Sequence, residues 1–132
     1  MSRVGMRFGG ESPVVLTVKG RKSGRERSTP VTPMTGDGKQ YVVAGFPGAD
    51  WVRNARAAGS GTLSPGRKKQ RVKIVELNPE DARPVLRAFP VEVAIGVGFM
   101  KSSGLVRQGT PDAFEALAGR IAVFRLDQLP AS

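Results

Sequence analysis

Six short runs rich in β-branched or apolar residues recur along this chain, and all but one of the gaps between the first five are too short for a crossover helix. They are Pro13 to Lys19, Glu26 to Thr35, Gln40 to Ala44, Gly61 to Ser64, Gln70 to Leu77 and Arg120 to Leu126. Parallel pairing needs a crossover of a dozen or more residues, so this order excludes a βαβ rhythm and favours antiparallel hairpins. Gly- and Pro-bearing turns separate the strands: Gly20-Arg-Lys-Ser-Gly24, Gly36-Asp-Gly-Lys39 and Pro65-Gly66-Arg67-Lys68. Pro30 and Pro33 each remove a ladder donor from the second run, which confines it to an edge or a bulge.

Helical signals fall between and after the strands. Asp50 is placed as an N-cap, with Trp51, Ala55 and Ala58 on one face, Arg53 and Arg56 on the other, and Gly59 as the left-handed stop. Asn78-Pro79-Glu-Asp opens a second helix expected to end near Phe89-Pro90, and Thr110 caps a third through Ala118. Glycines at 96, 98 and 104 break any period between Val91 and Leu105. The expected architecture is mainly β (α+β): a small barrel of about six antiparallel strands with two to three flanking helices. Residues 1–12 are read as a tail and 13–130 as one domain.

With 132 residues, 39% hydrophobic and 24% charged, the chain has the size and composition of one ordinary domain. It has no cysteine and no histidine. Disulfides, thiolate nucleophiles, iron–sulfur clusters, Ser-His-Asp triads and histidine-held metals are therefore excluded, and no metal site is expected. What remains is chemistry carried by carboxylates, lysines, hydroxyls or the lone Tyr41, or chemistry brought in by an organic cofactor, which ranks first; no catalytic side chain stands out. The longest apolar run, Val93 to Met100, falls far short of the roughly 20 residues of a membrane span. The start lacks the apolar stretch of an export signal, so a cytoplasmic protein is expected.

The net charge of +10 is unevenly spread: 15 Lys/Arg against 4 Asp/Glu in residues 1–73, and 6 against 7 in 74–132. One cluster runs from Lys19 to Arg27 and the other from Arg67 to Lys73. A single basic turn can be mere solvated surface. Two in half a small domain point to a polyanion: nucleic acid, an anionic membrane, or a phosphorylated or polycarboxylated cofactor. Single-strand binders stack bases on several aromatics, whereas Tyr41 is the only strand aromatic expected in the basic half. Gly20 to Gly24 lacks Walker A spacing, and Gly96-Val-Gly98 lacks the third glycine of a dinucleotide fingerprint. What remains is a glycine-flanked turn offering backbone N–H groups beside Arg21 and Lys22, with Arg27 nearby, against the alternative of a solvated hairpin tip. Trp51 suits a core anchor or a ligand platform, Arg53 and Asn54 are expected to face solvent, and Tyr41 to be half-buried packing.

Taken in order, Leu16-Thr-Val-Lys-Gly-Arg-Lys-Ser-Gly-Arg-Glu-Arg-Ser-Thr-Pro-Val31, Tyr41-Val-Val-Ala44 and Trp51-Val-Arg-Asn54 resemble the deazaflavin-dependent nitroreductase family. That resemblance implies a split β-barrel related to pyridoxamine-phosphate-oxidase-like flavoproteins. It also implies reduced coenzyme F-420, an 8-hydroxy-5-deazaflavin ending in a phosphodiester and a glutamate tail. Cofactor contacts carry over to Arg21, Lys22 and Ser23 in the turn, to Arg27, Ser28, Thr29, Pro30 and Val31 on the strand, and to Trp51, Val52, Arg53 and Asn54 on the helix. The chain departs from the family at Phe46-Pro47-Gly48, where a phosphate-binding lysine is replaced, and at Thr32, where an aromatic is replaced. The C-terminal tyrosines have no counterpart. Thr32 and Phe99 are left as the substrate wall. The implied reaction is hydride transfer from F-420 to a quinone, enone or nitroaromatic. The alternatives are an FMN-binding reductase in the same barrel and a non-catalytic nucleic-acid-binding barrel, and a homodimer is left open.

Overall fold

A computed structural model describes residues 8–10, 12–65 and 67–130. In chain order the strands are β1 (Phe8–Gly10), β2 (Val14–Lys19), β3 (Glu26–Val31), β4 (Met34–Gly36), β5 (Lys39–Val43), β6 (Ser60–Ser64), β7 (Gln70–Glu76) and β8 (Val123–Gln128). Helix α1 (Asp50–Ala58) lies between β5 and β6; α2 (Pro79–Glu92), α3 (Ala94–Ser102) and α4 (Pro111–Glu115) lie between β7 and β8. All eight strands join one antiparallel sheet in the order β1-β4-β5-β8-β7-β6-β2-β3.

The mainly β, antiparallel expectation holds, but there are eight strands and four helices rather than six and two or three. The run expected as one strand from Glu26 to Thr35 is two. β3 stops at Val31, and Pro33 withholds the donor that would continue its ladder with β2. Three residues later Met34 starts β4 at the other end of the sheet, between β1 and β5. A segment crossing from one end of the order to the other in so few residues spans only about 10 Å. The sheet is therefore strongly curled, yet no hydrogen-bonded pair of described strands closes it. Pro30 sits on an edge strand, as the missing donor requires. Within the stretch read as a tail, Phe8 to Gly10 form β1 and put a second strand aromatic in the basic half, its ring edge-on to Tyr41 at 5.7 Å.

Two apolar cores occupy the two sheet faces. Leu16, Val18, Val42, Leu63, Val72, Phe124 and Leu126 fill the concave side together with Val52 and Ala55 of α1. Met34, Tyr41, Leu86, Phe89, Phe114 and Val123 pack the other side under α2, α3 and α4. Strands β5 and β8 alternate between the two cores, Tyr41 against Val42 and Val123 against Phe124, so Tyr41 is fully buried rather than half-buried.

Asn78 caps α2 by accepting from Asp81 N at 2.8 Å, and Thr110 caps α4 by accepting from Ala113 N at 3.2 Å. Helix α4 ends at Glu115, short of Ala118. Helix α2 continues past Phe89-Pro90 to Glu92 with Pro84 and Pro90 inside it, because Ala82, Val85, Leu86 and Phe89 form a buried stripe whose packing outweighs the lost donors. At α1 the cap is Ala49 with no side-chain bond, and Asp50 is the first helical residue instead. Gly59 ends α1 at φ 71° and donates to Ala55 O, as its left-handed role demands.

Candidate active site

The β2–β3 turn is closed by Gly20 N to Arg25 O at 2.7 Å and by Gly24 N to Gly20 O at 2.9 Å. Gly24 takes φ 74°, a conformation open to glycine at no steric cost. Ser23 Oγ accepts from Arg25 N at 3.2 Å, so this serine shapes the turn from within. The backbone N–H groups of Lys22 and Ser23 have no partner among the described residues. Exposed successive N–H groups in such a turn form a concave donor site for anions.

Asn54 of α1 locks the turn to the helix. It is the only buried polar side chain among the described residues, at 7% exposure. Its Oδ1 accepts both from Arg21 N at 3.1 Å and from Arg21 Nη1 at 2.7 Å. Arg21 Nη2 also reaches Asp50 Oδ1 at 3.4 Å across an exposed pair of little energetic worth. Asn54 is thus turned inward, correcting the expectation that it faces solvent. Its partner lies 33 residues back, beyond the reach of any local pattern.

These residues border a chamber of about 400 Å³ whose walls are Arg21, Lys22 and Ser23 from the turn, Arg27, Ser28 and Thr29 from β3, and Asp50, Trp51 and Asn54 from α1. Arg27 lies with its stem against Gly20, and Ser28 Oγ bonds Thr17 Oγ1 at 2.8 Å. A second chamber of about 370 Å³ adjoins it, lined by Pro30, Val31, Thr32, Trp51, Val93, Ile95, Phe99 and Met100 among others. Gly45 allows the Phe99 ring to lie over the backbone beyond β5, since a Cβ there would stand 3.2 Å from it.

Trp51 lines both chambers and also tilts against Phe124 with ring centroids 5.6 Å apart. The core-anchor reading of this residue therefore holds, and the face it leaves free borders the cavities.

Ten of the twelve candidate cofactor residues meet at this pair of chambers. Val52 does not, being buried in the concave core, and neither does exposed Arg53, whose Nη2 lies towards Gly48. Thr32 and Phe99 share the second chamber, as a common wall requires. Val93, Ile95 and Met100 also belong to it; sequence reasoning misses them because the glycines around them hide the helical period of α3. Phe46-Pro47-Gly48 faces a different cleft, beside Arg56 and Arg120.

Partnerless donors flanked by Lys22 and Arg27, next to an apolar slot walled by an indole, suit a flat cofactor with a phosphorylated end. Residues 1–103 match the family model described as F420H(2)-dependent quinone reductase. The chain belongs to this family. It is accordingly an oxidoreductase that uses coenzyme F-420, and the resemblance carried by its motifs is borne out.

No curated protein matches the chain. Among solved structures, an F420-H2 dependent reductase is similar at 22% identity and TM-score 0.53, over 87% of this chain and 93% of its own. A structure described as a domain-swapped dimer is 21% identical with TM-score 0.60, over 87% of this chain and 79% of its own. A FAD-binding protein from Mesorhizobium loti is 13% identical with TM-score 0.53, over 93% and 94%. At these identities the structures attest a shared fold. Among the described residues no helix is long and apolar enough to cross a membrane.

Proposed function

We propose that this F-420-dependent reductase delivers hydride to a compact electron-poor acceptor, a quinone ahead of an enone or nitroaromatic. The acceptor occupies the apolar chamber, and the charged end of the coenzyme lies in the basic one. The observation that carries this reading is the shared wall: one indole, Trp51, borders both chambers. Coenzyme F-420, when bound, supplies the hydride.

The chain's own residues bind, orient and dry the site. Lys22, Ser23 and Arg27 offer donors to phosphate, and Asn54 holds Arg21 and the turn in place. Val31, Phe99 and Ile95 give a flat ring apolar surface and displace water. None of the side chains lining that chamber is an acid or base near neutral pH, so the accompanying proton comes from solvent or the coenzyme rather than from the chain. A phenylalanine at position 99 packs against a flat quinone ring and donates no hydrogen bond, so recognition on that side rests on ring packing. The domain is proposed to be a split barrel that includes β1, and so to begin at or before Phe8 rather than at residue 13, cytoplasmic, with a homodimer supported by the similar domain-swapped structure.

The test is steady-state oxidation of reduced F-420 with menadione, cyclohexenone and a bicyclic nitroimidazole under identical conditions. Menadione should turn over fastest, and fastest turnover of the nitroimidazole would move the substrate wall elsewhere. Parallel titrations with FMN and a single-stranded oligonucleotide complete it: tight binding of either with none of F-420 would refute the reading.

A further inference from the structure

Strands β2 and β6 pair from Val15–Ser64 to Thr17–Thr62, and their ladder ends there, with Gly61 still close against Thr17 and Val18. Beyond that point β2 continues to Lys19 along β3, while Ser60 and Gly61 pair only with β7. Where that ladder ends, a cavity of about 530 Å³ lies beside the β2–β3 turn, more roomy than either chamber described above. Lys19, Arg21 and Arg71 line it, with the hydroxyls of Thr17, Ser60 and Thr62.

Arg71 differs from the other well-placed arginines. Arg21, Arg56, Arg87 and Arg125 each pair with a carboxylate. Arg71 instead donates Nη1 to Thr62 Oγ1 and Nη2 to Ser60 Oγ, each at 3.3 Å, and no described carboxylate pairs with it. Two neutral hydroxyls fix the orientation of the guanidinium and leave its charge uncompensated. Lys19, across the cavity, also has no ion pair among the described residues. Glu26 lines the same cavity opposite Lys19 in the β2–β3 register, and it bonds neither cation, so the positive charges outnumber it.

We infer that this cavity is a second anion site, taking a multiply charged carboxylate or phosphate group between Arg71 and Lys19. A guanidinium already held by the fold loses little freedom when it binds, and its planar fork suits a carboxylate or a phosphate. Arg21 borders this cavity on one side of the turn and the basic chamber on the other, so the two sites are neighbours. The anion is therefore either the remote end of a coenzyme seated in the chamber or a separate polyanion, and the first of these rests on the F-420 reading. The site also divides the second basic cluster: exposed Arg71 lines the cavity and contacts ligand, whereas Arg67, Lys68 and Lys69 lie outside its lining and act only at long range.

The test compares wild type, Arg71→Gln and Arg71→Lys by calorimetric titration with triglutamate and with inorganic pyrophosphate, without F-420. The same proteins are then titrated with polyglutamylated F-420 and with F-420 trimmed to one glutamate. Arg71→Gln should weaken the site's ligand by about tenfold, and Arg71→Lys should recover part of that loss. Trimmed F-420 should shift by less than about twofold, because its charge does not reach Arg71. A loss confined to polyglutamylated F-420 assigns the site to the coenzyme, and a loss with the free anions assigns it to any polyanion. Unchanged binding of both free anions and of polyglutamylated F-420 would overturn the proposal. Lys19→Gln, on the opposite wall, carries the same test if Arg71→Gln fails to fold. The free-anion arm contains neither coenzyme nor quinone, so it decides this site even if the functional reading fails. Equally, menadione turnover by a wild type that binds no anion here would sink the site alone.

Discussion

Asn54→Ala separates the anion turn from the helix that holds it. The substitution deletes an acceptor serving Arg21 N at 3.1 Å and Arg21 Nη1 at 2.7 Å. The charged bond is worth about 1.5–3 kcal/mol and the neutral one about 1 kcal/mol. The Arg21 side chain keeps 24% exposure, so water recovers part of this, and the expected net loss is about 2 kcal/mol. For 132 residues that corresponds to roughly 5–10 °C in Tm, read by thermal unfolding at neutral pH. Affinity for F-420 should fall as well, by about tenfold, because the turn donors are no longer held in place. Asn54→Asp discriminates between the two effects. It keeps an acceptor for Arg21, so Tm should largely return, while its carboxylate faces the anion chamber and affinity should stay low. A Tm within about 1 °C of wild type for Asn54→Ala would refute the reasoning, as would full F-420 affinity in Asn54→Asp.

Two further outcomes follow from the packing and the charges. Gly61→Ala should destabilise by about 1–3 kcal/mol, because a Cβ there meets Thr17 O at 2.7 Å and Val18 Cγ1 at 2.9 Å; an unchanged denaturation midpoint would contradict the close approach of β2 and β6. The Arg125 guanidinium, bonded to Asp127 at 2.8 and 3.0 Å, holds that carboxyl below its usual range, helped by Lys39 and Lys73. Its pairing therefore stabilises the fold above the ordinary carboxylate value of about 3.9 and is lost as pH falls through the lower folded value. Wild type should exceed Asp127→Asn in stability at neutral pH, and the gap should close in acid; a gap that widens in acid would reverse the sign.

Where a local rule acts alone, the sequence is readable. Asn78 with Pro79, Thr110 and Gly59 mark helix ends that the structure keeps, because a cap needs only residues within one turn. The Gly20–Gly24 turn and the edge position of the Pro30 strand are readable for the same reason. The jump from β3 to β4 is not, since nothing near Pro33 says that Met34 will pair with Tyr41 on the far side of the sheet. Helix α3 is illegible because one inward position is a glycine: a Cβ on Gly96 would meet the Phe89 ring at 2.5 Å, so the close approach that seats the helix also erases its apolar period. Asn54 is misplaced by helical patterning, which ranks a polar residue outward, and only its distant partner Arg21 makes burial favourable.

Coenzyme and acceptor are proposed to meet at Trp51, the one tryptophan of the protein. Its emission is therefore a direct probe of the shared wall. Titration with oxidised F-420 should quench it saturably, and menadione added to the saturated protein should change it again with its own binding curve. F-420 binding by equilibrium dialysis with no change in Trp51 emission would contradict the account.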